Sequence, residues 1–74
     1  MIKGLGFEII ISSDIDYEKL CAEIYFNGEF VAIISQEKGI DKEIIEIYPS
    51  KNMSSWSFNL LEFIEILNEA KNKI

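Results

Sequence analysis

The chain has 74 residues, enough for one domain (1–74), and a domain this small hides only roughly 60% of the surface its unfolded chain exposes. Thirteen acidic against seven basic residues give a net charge of −6, with no arginine and no histidine, so the surface repels nucleic-acid phosphates and anionic membranes. It also lacks the side chains for histidine-based catalysis. Nearly half of the residues are hydrophobic (49%), with one proline and four glycines, which is the composition of a folded protein and not of a disordered tail.

No apolar run approaches the roughly 18 residues of a membrane span. The start, Met1-Ile2-Lys3-Gly4, has none of the sections of a secretory signal, and a cytoplasmic protein is expected. The single cysteine, Cys21, has no second thiol or histidine with which to form a disulfide or hold a metal, and it is read as a small apolar packing residue.

Leu5, Phe7, Ile9 and Ile11 alternate with Gly6, Glu8, Ile10 and Ser12, which predicts a half-buried first strand over Leu5 to Ser12. The polar run from Ser13 to Glu18 predicts a loop, because its short side chains offer the backbone local hydrogen bonds in place of a ladder. Leu20 to Gln36 then reads as two strands meeting at Asn27-Gly28, the dipeptide suited to a turn that needs positive φ at both central residues. A two-residue turn sets Phe26 opposite Glu29, Ile24 opposite Val31 and Ala22 opposite Ile33. Gly39 marks a longer reversal, and a fourth strand is predicted over Lys42 to Tyr48, ended by Pro49. Trp56 and Phe58, alternating with Ser57, suggest a short fifth strand.

Asn59 can cap a helix whose Glu62 falls in the first turn, while Phe58 and Phe63 stand at the spacing of a hydrophobic staple. Leu60, Phe63, Ile64, Leu67, Ala70 and Ile74 recur at helical spacing and predict the buried stripe. The expected fold is α+β: an antiparallel four- to five-stranded meander with one C-terminal helix packed on one face. Leu5, Phe7, Ile9, Ile11, Leu20, Ala22, Ile24, Phe26, Val31, Ile33, Ile45 and Ile47 are expected to face that helix. The opposite face is expected to carry Ile10, Cys21, Tyr25, Phe30, Ala32, Ile34, Ile44 and Tyr48, interspersed with Glu8, Glu23 and Glu46.

A single helix of about fifteen residues, rising roughly 1.5 Å per residue, covers one face of such a sheet and not both. Aromatic side chains mixed with acids on the other face suit contact with a protein, since tyrosine supplies area at low entropic cost and rims are polar. Tyr25, Phe30, Ile34 and Tyr48 are the expected anchors, Glu8, Glu23 and Glu46 the groups that meet a basic partner, and Asp14 and Asp16 of the acidic loop a further contact. A two-fold homodimer through the same face is the alternative use of it. Asp14-x-Asp16-x-Glu18 shares the opening spacing of a calcium loop, but the glycine and the distal bidentate glutamate are missing from their places. Gly4-x-Gly6 precedes a strand, where a dinucleotide motif follows one. No catalytic group, cofactor or metal site is expected.

The run EIYFNGEFVAIISQEKG (23–39), the strand EIIEIYP and the closing helix FNLLEFIEILNEAKNKI resemble a family of small bacterial immunity proteins. These accompany polymorphic toxins, including those of contact-dependent growth inhibition. The resemblance covers residues 18 to 73. It implies a cytoplasmic immunity protein that binds and neutralises the C-terminal domain of a partner toxin, often a nuclease, and it carries no toxin-contact residue to this chain. A nuclease must attract phosphate, so its surface also attracts carboxylates, in keeping with the acidity seen here.

Overall fold

The computed structural model describes residues 6–13, 20–36, 42–51 and 54–74. Leu5, the loop residues Asp14 to Glu18 and the reversal at Gly39 lie outside them. Four strands, β1 (Phe7–Ser12), β2 (Cys21–Phe26), β3 (Glu29–Ser35) and β4 (Ile44–Ile47), form one antiparallel sheet in the order β1-β2-β3-β4, and the helix α1 (Leu60–Asn72) packs against it. The meander follows from short connections between consecutive antiparallel strands. No strand forms at Trp56 to Phe58, where the Trp56 indole N–H donates to the Tyr48 carbonyl at 2.8 Å.

The turn between β2 and β3 has φ of 51° at Asn27 and 83° at Gly28, the positive pair that the sequence calls for. It is clasped from below: the Asn27 N–H donates to the Gly6 carbonyl at 2.9 Å. Gly6 itself has φ of 92°, and a side chain there would run into the Asn27 carboxamide.

Beyond the turn the register departs from the expected one. Phe26 pairs with Glu29 and Tyr25 with Phe30, but Ile24 then pairs with Ala32 and Ala22 with Ile34. Val31 is the extra residue of a β-bulge. One inserted residue exchanges the faces of everything after it, so Ala32 and Ile34, expected outside, belong to the core beneath the helix, and Ile33, expected on the helix side, is buried at 7% exposure on the opposite face. Ile34 is only 5% exposed, in one cluster with Phe7, Ile24, Val31, Ile66 and Ala70.

The helix begins as its sequence dictates. Asn59 Oδ1 accepts from the Glu62 N–H at 3.0 Å, and the rings of Phe58 and Phe63 stack at 5.0 Å. Its buried stripe is rotated from the expected one: Ile66 and Ala70 are fully buried with Phe63, Leu67 and Ile74 packed around them, whereas Leu60 is 70% exposed and Ile64 is exposed beside it. The helix lies over β1 and β2. Ile45 and Ile47 of β4 face its side of the sheet, as expected, yet remain 39% and 61% exposed because the helix lies mainly over β1 and β2. Leu20, expected in the core, is also exposed.

At one end the core is aromatic. Phe7 packs on Phe26 at 4.8 Å, on Phe58 at 5.0 Å and on Phe63 at 6.0 Å, and Trp56 stacks on Phe58 at 5.2 Å. Tilted and offset rings at these distances add about 0.5–1.5 kcal/mol per pair beyond burial itself. They join the strands to the start of the helix.

Candidate functional site

On the face away from α1, the pleat aligns side chains across strands. Ile10 of β1 stands opposite Glu23, Glu23 opposite Ile33, and Ile33 opposite Glu46, while Glu8 stands opposite Tyr25 and Tyr25 opposite Phe30. Tyr48, just past β4, completes the second row. The rings of Tyr25 and Phe30 lie 5.3 Å apart and those of Phe30 and Tyr48 4.9 Å apart, an unbroken aromatic row across three chain segments. Acids and apolar groups alternate along the first row, and Glu8 flanks the aromatic second row.

Glu23 is the fixed centre of this face. Ser12 Oγ donates to one of its carboxylate oxygens at 2.9 Å, and the Tyr25 hydroxyl donates to the other, also at 2.9 Å. Both donors are neutral, so they hold the carboxylate in place without cancelling its charge. The same hydrogen bond raises the Tyr25 phenol above its ordinary pKa, helped by desolvation and by the negative charges of Glu23 and Glu8. Cys21, next to Ser12, is fully buried and its thiol donates to the Ser12 carbonyl at 3.4 Å, so it acts as packing.

Six of the expected site residues thus share one surface: Glu8, Glu23, Tyr25, Phe30, Glu46 and Tyr48. Ile34 does not join them, because the bulge turns it under the helix, and this corrects its role as an anchor. Asp14 and Asp16 lie outside the described residues. The aromatic row opens at the hairpin tip onto a cleft of about 610 Å3 lined by Tyr25, Phe26, Glu29, Phe30, Lys51 and Trp56. There the Glu29 carboxylate accepts from the Lys51 backbone N–H. Sequence reasoning missed this cleft; its signal was the pairing of a tight Asn-Gly turn with a tryptophan whose N–H needs a partner.

Among the described residues, no group of three or more cysteine, aspartate or glutamate side chains converges where a metal could sit. No helix among them is long and apolar enough to cross a membrane. No family model, curated protein or solved structure matches the chain. The site is therefore understood from its geometry: a surface on which Glu8, Glu23 and Glu46 border the aromatic row of Tyr25, Phe30 and Tyr48.

Proposed function

We propose that the chain is a small cytoplasmic binding protein that docks a basic protein through the outer face of its sheet. Its best-fitting role is that of an immunity protein neutralising the toxic C-terminal domain of a cognate bacterial toxin, such as a nuclease. The observation that carries this reading is the pinned Glu23, set between the aromatic row Tyr25, Phe30 and Tyr48 and the flanking Glu8 and Glu46. Rings already packed on one another lose little freedom on binding, and fixed carboxylates beside them attract cations and steer encounter. The net charge of −6 extends that field over the whole molecule.

The resemblance of residues 18 to 73 to immunity proteins supplies the partner class; the surface chemistry supplies the mode of docking. A homodimer through this same face is the less favourable use of it, since it would bring Glu8, Glu23 and Glu46 of two copies together. The test is to clone any basic toxin domain encoded beside this protein and measure its association with the chain. Reversing charge at Glu8 and Glu23 together should slow association several-fold and flatten its salt dependence. Unchanged association kinetics would reject the outer face as the docking surface.

A further inference from the structure

The other exposed apolar surface lies where the helix stops short of the sheet edge. Leu60, Ile64, Leu67 and Lys71 follow one another along one side of α1, and Leu67 and Lys71 border a groove of about 200 Å3 with Ile34, Glu43 and Ile45. Beyond the groove stands Ile47, 61% exposed. β4 is the last strand of the sheet, and among the described residues nothing pairs with its far side. Its hydrogen-bonding direction is fixed by the Tyr48 N–H, which donates to the Val31 carbonyl at 2.8 Å. By the alternation of an antiparallel ladder, residues 44, 46 and 48 bond toward β3, and the N–H and C=O groups of Ile45 and Ile47 point away from it. An edge of this kind is a template for another strand.

We propose that this edge binds a second copy of the chain, β4 against β4 in antiparallel register centred on Ile45, giving a continuous eight-stranded sheet. Two-fold symmetry makes the contact self-complementary, and the side chains disfavour two of the other registers. Centring on Glu46 sets Glu46 against its own copy at the closest cross-strand spacing, and centring on Ile47 pairs Ile45 with Pro49, which has no N–H to give. Centring on Ile45 keeps residues 43–47 of both chains in the ladder, sets Ile44 beside Glu46 of the second copy, and brings Lys42 of each chain diagonally alongside Glu46 of the other. Lys42 and Lys71 at this edge offset Glu43 and Glu46, the last of which also belongs to the outer face. Ile45, Ile47, Leu60 and Ile64 are the exposed apolar groups at the edge and along the helix border beside it.

Sedimentation of the full chain over a range of concentrations tests this. The wild type should pass from monomer to dimer. Ile47→Glu should weaken the dimer by about tenfold or more, because it sets a carboxylate opposite Glu43 of the second copy, and Ile45→Pro, which takes away an outward N–H together with the Ile45 side chain, should do the same while far-UV circular dichroism stays unchanged. Lys42→Glu and Glu46→Lys should each weaken it, and the double swap should restore it. Glu8→Lys with Glu23→Lys should leave the dimer intact, which separates this surface from the toxin-docking face. A wild type that stays monomeric, or a dimer indifferent to Ile47→Glu and Ile45→Pro, overturns the proposal; failure of the double swap to restore overturns the pairing of Lys42 with Glu46. A monomer whose toxin binding is lost with Ile47→Glu assigns the edge to that partner instead, and likewise overturns it.

Discussion

The molecule has two groups of aromatic rings, and they differ in chemistry more than in packing. The inner group, Phe7, Phe26, Trp56, Phe58 and Phe63, is largely hydrocarbon and ties strands to helix. The outer row, Tyr25, Phe30 and Tyr48, has similar ring spacings, but its tyrosines carry hydroxyls and its neighbours are carboxylates. Similar distances thus serve cohesion on one side of the sheet and, in the function proposed above, recognition on the other. What separates the two is the company of Glu23 and Glu8, not the rings.

The contrast breaks most sharply at Phe7. Phe7→Ala removes a buried ring with three aromatic neighbours and should cost about 3–5 kcal/mol of stability, read as a lower urea midpoint with the slope unchanged. Ile66→Ala, which empties the fully buried centre of the helix stripe, should cost about 2–5 kcal/mol in the same assay. Asn59→Ala removes the cap that joins the inner cluster to the helix and should cost about 1 kcal/mol. Phe30→Ala should cost less stability than Phe7→Ala, because its ring is half-exposed, and more partner affinity, because it stands between two tyrosines.

The smallest effect is a titration. The phenol of Tyr25 is held neutral by its bond to Glu23, so its folded pKa lies above the unfolded value of about 10. Its contribution to stability is complete below that pH and is lost as pH rises through the raised value, since between the two the folded state holds the proton that the unfolded state has released. Glu23→Gln removes the adjacent charge and should bring the latest tyrosinate absorbance step back toward the ordinary range, with little change in stability at neutral pH.

The sequence made the local features legible and left the lateral ones hidden. Asn27-Gly28 announced its turn, Asn59 its cap and Phe58 with Phe63 the staple, because each rests on a few neighbouring residues. The run Val31-Ala32-Ile33-Ile34 is apolar throughout, so it carries no alternation from which the bulge at Val31 could be recognised, and that one residue moved Ile34 out of the candidate site. The helix has a similar surplus: Leu60, Leu61, Ile64, Ile66 and Leu67 define more than one apolar stripe, and contact with β1 and β2 selects the one centred near Ile66 and Ala70. How far a helix spreads sideways over a sheet is a matter of packing that no short stretch encodes, which is why the exposure of Ile45 and Ile47 emerges only in three dimensions.

The clasp between Gly6 and the Asn27 turn also limits how this chain can diverge. A side chain at position 6 needs room that the Asn27 carboxamide occupies, and a smaller residue at position 27 would relieve the collision while leaving a backbone angle that still favours glycine. Position 6 is therefore confined to glycine twice over, by its own backbone angle and by the side chain of a residue twenty-one positions further along.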